Sequence, residues 1–250
     1  MSTQITSIHN PRLKALRKLQ TRRGRAQTGN FLVEGEDLLD AAAAAGRDPV
    51  EGYRLAGSGL GTEGFLDVEA HALREVSTLG SGTRVIGVFA QRWGSPTGPL
   101  CVYLHGVSDP GNVGTVLRSA LAFGASSVAL GPGCADPHSP KAVRASMGAI
   151  FAVQLARAGT VEQLPGLRIA LSADAPERLR AELAGGAQDG VTLLIGAERE
   201  GLPAEVIDAC EQHARIPIAS ESLNAAMAAT VALYEMTRED GLLDRRMPEA

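Results

Sequence analysis

A chain of 250 residues is long enough for one large domain or two ordinary ones, and an apolar share of 44% supplies ample material for a buried core. No apolar run approaches the roughly 20 residues of a bilayer-crossing helix, and the first residues lack the apolar core of a secretory leader. A cytoplasmic protein without membrane attachment is expected. The net charge of −4 hides an asymmetry: Arg12, Lys14, Arg17, Lys18, Arg22, Arg23 and Arg25 occur before Val33 with no acidic residue among them, so the remainder of the chain carries −11 once these seven charges are removed. Such a basic arm on an acidic protein marks a polyanion-binding segment, and the missing i,i+4 acidic partners favour nucleic acid over a merely solvated helix face.

In chain order, Asn10-Pro11 starts a helix in which Leu13, Leu16 and Leu19 recur at helical spacing, with the basic residues on the other faces. Phe31–Val33 predicts a short strand and Asp37–Ala45 a helix ended by Gly46. The glycine-rich stretch 57–64 lacks the Gly-Lys-Ser/Thr ending of a phosphate loop and reads as a surface turn. Val85–Phe89 predicts another strand. Residues 94–99, rich in Gly, Pro, Ser and Thr, form a linker between a domain over 1–93 and a domain over 100–250. Strand-like runs at 100–104, 127–130, 168–171, 191–195 and Arg215–Ile218 then alternate with helices over 113–123, 140–149 and Leu223–Arg238, which predicts a parallel α/β sheet with helices on both faces.

Three stretches place polar residues where an apolar run ends, which is where an α/β sheet builds its ligand site. After strand 102–106, Asn112 is placed to cap a helix whose apolar stripe is Val113, Val116, Leu117, Ala120 and Leu121, with Thr115, Arg118 and Ser119 on its polar side. The run Val191–Ile195 ends at Gly196, where a ligand can lie against bare backbone, and Glu198 and Gly201-Leu202-Pro203 follow. The third, Ile216-Pro217-Ile218, leads to Ser222 as cap of a helix with Leu223 and Asn224 in its first turn, whose free N–H groups suit oxygen atoms. Cys101, Cys134 and Cys210 are odd in number and without CxxC spacing, and the five histidines are scattered, so neither disulfide nor metal is expected. Asp136 and His138 flank Pro137 and are expected to fix a turn.

Together the stretches resemble the three signature motifs of the SpoU (TrmH-like) family of RNA ribose methyltransferases, in the SPOUT class. They run as Asn112-x-Gly114-x-x-x-Arg118-Ser119, Ile195-Gly196-x-Glu198-x-x-Gly201-Leu202 and Ile216-Pro217 with Ser222-Leu223-Asn224. Asp136-Pro137, Ser139-Pro140-Lys141 and Arg144–Gly148 are similar to the family between the first two motifs, and Asn10-Pro11-Arg12 with Phe31–Gly35 is similar to its accessory RNA-binding domain. In one respect the chain departs from its relatives: only Ala219, Ser220 and Glu221 separate Ile218 from Ser222, where a longer loop is usual.

The resemblance implies a SPOUT-type parallel sheet with a C-terminal trefoil knot, preceded by a smaller α/β RNA-binding domain. It implies S-adenosyl-L-methionine (AdoMet) held by Ile195, Gly196, Gly201, Ile216, Pro217 and Leu223, and methyl transfer to a ribose 2′-hydroxyl of structured RNA. Ribosomal RNA is favoured over transfer RNA, and a non-catalytic RNA-binding protein is the alternative of another class. The implied catalytic set is Arg118, Asn112, Glu198, Ser222 and Asn224. Because guanidinium holds its proton, Arg118 is expected to clamp phosphate and stabilise the developing oxyanion, with Glu198 pairing with and orienting it. The resemblance also implies a homodimer that completes the site, with Met227, Val231 and Tyr234 either contacts across it or internal core. A nucleotide-dependent oxidoreductase is disfavoured because no GxGxxG follows the relevant strand.

Overall fold

The computed structural model describes residues 4–79, 82–185, 187, 189–220 and 222–238. The chain forms two compact units, Met1–Gln91 with Asp136–Phe151, and Arg92–Ala135 with Ala152–Ala250. The first boundary lies between residues 91 and 92, and one segment from the second half of the chain joins the first unit.

In the first unit the chain runs α1 (Pro11–Leu19), α2 (Arg22–Thr28), β1 (Asn30–Glu34), α3 (Glu36–Ala44), β2 (Glu51–Leu55), β3 (Leu66–Val68), α4 (Ala70–Arg74) and β4 (Val85–Ala90). Asn10 caps α1 by accepting the Arg12 N–H at 2.9 Å, and Pro11 occupies the first turn, where its missing N–H costs nothing. Leu13, Leu16 and Leu19 fall on one helix face and are buried against Leu32, Ile86 and Val88. The sheet order is β1-β4-β2-β3, with β4 antiparallel to both neighbours and β3 parallel to β2. Thr21 caps α2 through the Gly24 N–H at 3.1 Å. A Cβ on Gly24 would stand 1.9 Å from the Lys18 carbonyl oxygen, so only glycine lets α2 turn this tightly off α1.

The second unit begins with β5 (Leu100–Leu104), α5 (Pro110–Ala122) and β6 (Ser127–Leu130). The chain then passes through α6 (Pro140–Ser146) and α7 (Ala149–Ala152) before resuming as β7 (Gln154–Arg157), β8 (Leu167–Leu171), β9 (Glu177–Arg178), β10 (Val191–Ile195), α8 (Ala204–Asp208), β11 (Gln212–Arg215) and α9 (Ala225–Thr237). Seven strands pair in the order β7-β6-β5-β10-β8-β11-β9, every pair parallel. All residues of β5, β6 and β10 are buried, as strands covered on both faces must be. Because β10 inserts between β5 and β8, the loops that follow these three strands open side by side at their carboxyl ends. Helix α9 packs along α5, with Ser119 Oγ and Thr230 Oγ1 2.6 Å apart.

Several expectations are corrected. The cap of α5 is Asp109, whose side chain accepts the Asn112 N–H at 3.0 Å, so Asn112 lies inside the first turn with its amide free for other work. Leu121 is 47% exposed and leaves the apolar stripe of that helix. The 140–149 helix is broken at Met147, which adopts the left-handed conformation (φ 49°), and the chain re-forms a helix from Ala149. The last paired strand is Gln212–Arg215, and Ile216–Ile218 is loop. Pro217 cannot donate to a ladder, so an apolar triplet around it serves better as a wall than as a strand.

The segment Asp136–Phe151 is held within the first unit by a buried ion pair. Arg25, 3% exposed, donates through Nε and Nη2 to Asp136 Oδ2 at 2.8 Å each, and through Nη1 to the carbonyls of Leu19 and Gln20 at 2.8 and 2.9 Å. Asp136 also accepts the His138 N–H at 2.9 Å, which fixes the turn around Pro137. The His138 and Phe151 rings pack on Phe31 with centroids 4.7 and 6.2 Å away.

Candidate active site

The three motif loops converge. Asn112 Nδ2 donates to Glu198 Oε1, and Asn224 Nδ2 donates to the same oxygen at 2.6 Å and to Asn112 Oδ1 at 3.2 Å. Asn112 comes from the loop and helix after β5, Glu198 from the loop after β10, and Asn224 from the residue before α9. Three polar side chains separated by up to 112 positions thus form one closed hydrogen-bonded set. Asn224, not Ser222, caps α9: its Oδ1 accepts the Ala226 and Met227 N–H groups at 2.9 and 3.2 Å. Those two amides are therefore already satisfied and are not the anion-binding donors expected at that helix start.

Beside this set lies a cavity of about 380 Å³, bounded by the loops that follow β8, β10 and β11 and by the start of α9. That volume lies within the ~300–1,000 Å³ typical of small-molecule sites. Of the six residues put forward for the cofactor, Ile195, Gly196, Gly201, Ile216 and Leu223 line it and Pro217 does not; Glu198 and Ser222 line it too. Glycine at 196 also has a cause besides the cavity it lines. A Cβ there would lie 2.1 Å from the Gly201 carbonyl carbon, so glycine is required for the 197–201 loop to fold back. That loop is closed by reciprocal backbone bonds between Ala197 and Gly201 at 3.1 and 2.9 Å.

Arg118 stands apart. It is exposed on α5 and has no hydrogen bond or ion pair among the described residues, and Glu198 pairs with the two asparagines rather than with it. The reason is helical geometry: six residues at ~100° each turn Arg118 about 240° from Asn112, off the face that meets Glu198. On β5, burial pushes the Tyr103 phenol up to about 12, so it stays neutral while contacting His105 Nδ1 at 3.2 Å.

The basic arm of the first unit divides into two groups. Arg12 is paired with Glu51 at 2.5 Å, and Arg17 donates to the Ile8 carbonyl at 2.5 Å. Arg25 departs from the expected RNA-facing role, because Asp136 and two carbonyls consume its donors in a buried position. Lys14, Lys18, Arg22 and Arg23 are exposed. They flank the tight turn between α1 and α2.

Residues 99–234 match the SpoU rRNA Methylase family. The chain belongs to that family. Ahead of the SpoU region, residues 10–87 match the MRM3-like substrate binding domain. A tRNA/rRNA methyltransferase of Synechocystis sp., itself uncharacterized, is 32% identical over 94% of this chain and 93% of its own length. The 23S rRNA (guanosine(2553)-2′-O)-methyltransferase RlmP of Bacillus subtilis is 27% identical over 93% of this chain and 98% of its own. Among solved structures, an AdoMet-bound rRNA methyltransferase from Sinorhizobium meliloti superposes with a TM-score of 0.83 at 30% identity, covering 95% of this chain and 98% of that one.

Sequence reasoning missed one wall of the SpoU cavity. Leu171, Ser172, Ala173 and Asp174, together with Ile218 and Leu202, also line it. The signal was present: the run at 168–171 ends at the same sheet edge as 191–195, and a Ser-Ala-Asp-Ala-Pro turn follows it at once.

Proposed function

We propose that this protein is an AdoMet-dependent methyltransferase that modifies a ribose 2′-hydroxyl in ribosomal RNA. The observation that carries the reading is the joining of Asn112, Glu198 and Asn224 beside a cavity of cofactor size. The residues present fit AdoMet: Leu171, Ile195, Ile207, Ile216, Ile218 and Leu223 offer an apolar wall for adenine, and acidic side chains complement a ligand with a sulfonium charge. RlmP, aligned over nearly the whole chain, supports the ribosomal substrate and the 2′-hydroxyl as acceptor.

When bound, AdoMet supplies an electrophilic methyl group. Glu198 spends Oε1 on the two asparagine amides, which leaves Oε2 to accept a hydrogen bond from the sugar hydroxyl and orient its oxygen. Because oxygen attack with loss of the hydroxyl proton, to a phosphate oxygen of the RNA or to water, would cancel the sulfonium charge, alignment in a partly dry site contributes much of the rate. Ser222 at the cavity wall is a further contact for the sugar.

Arg118 enters this scheme through a second copy of the chain. On α5 it lies one turn from exposed Leu121, and Met227, Val231 and Tyr234, spaced i, i+4, i+7 on α9, are 61, 41 and 54% exposed. A homodimer covering this apolar face would present Arg118 to the partner's substrate as phosphate clamp. Lys14, Lys18, Arg22 and Arg23 would hold the RNA backbone. The knotted arrangement of the SPOUT class and a cytoplasmic location belong to the same reading, and no described helix is long and apolar enough to cross a membrane.

The test is transfer of radiolabelled methyl from AdoMet to ribosomal RNA, with 2′-O-methyl mapping in cells with and without the protein. One ribose position that loses its methyl with the protein is expected. Methylation of a base, or of transfer RNA alone, overturns the assignment.

A further inference from the structure

The side of the cavity that sequence patterns did not reveal carries a carboxylate with no described partner. Asp174 lines the cavity on the loop after β8, and it makes no hydrogen bond or ion pair among the described residues. Asp174 is exposed and takes no part in holding its turn. Aspartate favours turns because its side chain bonds nearby backbone N–H groups, and Asp174 makes no such bond.

The turn itself is fixed from below. The Ala175 N–H closes it onto the Ser172 carbonyl at 3.3 Å, and the Ser172 N–H is anchored to the Ala214 carbonyl of β11 at 3.0 Å. Arg215 donates Nη1 to the carbonyls of both Ala175 and Pro176. The result is a pinned loop with its one carboxylate at the cavity wall.

The other ionisable lining residues limit what Asp174 can meet. Arg199 and Glu200, exposed on the loop after β10, are the sole cation and a second uncommitted carboxylate among them, and together they suit the carboxylate and ammonium of an amino-acid tail. Glu198, on that same loop, is committed to the asparagines. The tail therefore belongs on the β10 side, and the adjacent β8 side is left for the sugar. A carboxylate outside a parallel strand is a suitable acceptor for a ribose diol.

Resting on the AdoMet reading of this cavity, we propose that Asp174 binds the 2′- and 3′-hydroxyls of the cofactor's own ribose, with Arg215 as the residue that positions its loop. The test is calorimetric binding of S-adenosylhomocysteine, 5′-methylthioadenosine and 2′,3′-dideoxyadenosine, set beside adenosine, to wild type and Asp174→Asn. Methylthioadenosine keeps the diol and lacks the amino-acid tail. Loss of a charge-assisted hydrogen bond predicts roughly ten- to hundredfold weaker binding of S-adenosylhomocysteine and methylthioadenosine alike, at unchanged thermal stability. The wild type should prefer adenosine to the dideoxy nucleoside, and the variant should lose that preference.

Unchanged methylthioadenosine affinity in Asp174→Asn, or weakening confined to S-adenosylhomocysteine, overturns the diol assignment and leaves the cofactor reading standing. A wild type that binds none of these ligands removes the cofactor reading and the Asp174 assignment together. Arg215→Lys should weaken binding of the same two ligands without altering the ligand preference, and a variant indistinguishable from wild type removes its positioning role.

Discussion

Asn224 uses both ends of one amide. Its oxygen caps α9 and its nitrogen reaches Glu198, so a single substitution strikes helix stability and site geometry together. Asn224→Ala should cost about 1 kcal/mol in unfolding free energy through removal of the cap. It should also abolish methyl transfer. Asn112 caps nothing, so Asn112→Ala should impair methyl transfer with much less effect on the denaturation midpoint, and equal destabilisation of both variants would contradict this division. Among the basic residues the same contrast holds between buried and exposed arginines. Arg25→Ala leaves the partly buried Asp136 without its partner, a loss of up to about 3 kcal/mol. Arg22→Ala with Arg23→Ala should leave the melting temperature near wild type but weaken RNA binding and flatten its dependence on log salt by about one unit for each phosphate no longer neutralised. Filter binding across a salt series, set beside thermal unfolding, separates the two outcomes.

At the scale of elements, the sheet was legible because its central strands are apolar runs interrupted only by Ser127 and Thr192: 100–104, 127–130 and 191–195 are β5, β6 and β10 to the residue. The outer strands β7, β11 and β9 were not legible. β11 reads Gln212-His213-Ala214-Arg215, with one buried residue, and its pairing is set by neighbours rather than by its own hydrophobicity. Helix starts misled for a related reason: Asp109, Asn112, Ser222 and Asn224 are all good caps by type, and only tertiary contacts decide which of them serves. Beside the entrance to β11, Glu211 is bound by Arg168 through its guanidinium and its backbone N–H, which lowers the Glu211 carboxyl to about 2. A depressed carboxyl contributes stability that is complete above its ordinary value of 4.5 and is lost as pH falls through about 2. Solvent exposure of the pair keeps that contribution below about 1 kcal/mol. The melting temperature of Glu211→Gln should therefore lie slightly under wild type at neutral pH and meet it between pH 4.5 and 2, and curves that stay parallel would exclude the linkage.

For the molecule as a whole, the motif residues could be matched to a family from sequence, but their partners could not. The hydrogen bonds from Asn112 and Asn224 to Glu198, and the separation of Arg118 from that set, depend on helix phase and on which strand inserts beside which. The homodimer reading makes a direct prediction: Tyr234→Asp with Met227→Asp should shift the particle mass by light scattering from two chains to one, and abolish methyl transfer while each chain still binds S-adenosylhomocysteine. A wild type already monomeric at working concentration would exclude it. The placement of Asp136–Phe151 also has a consequence for how this protein can be taken apart. Three peptide bonds, after residues 91, 135 and 151, join the two units. A fragment cut after Gln91 would therefore hold Arg25 with no counter-charge and Phe31 stripped of its His138 and Phe151 neighbours, so the N-terminal portion is no detachable module and deletion or transplantation of it would damage both pieces.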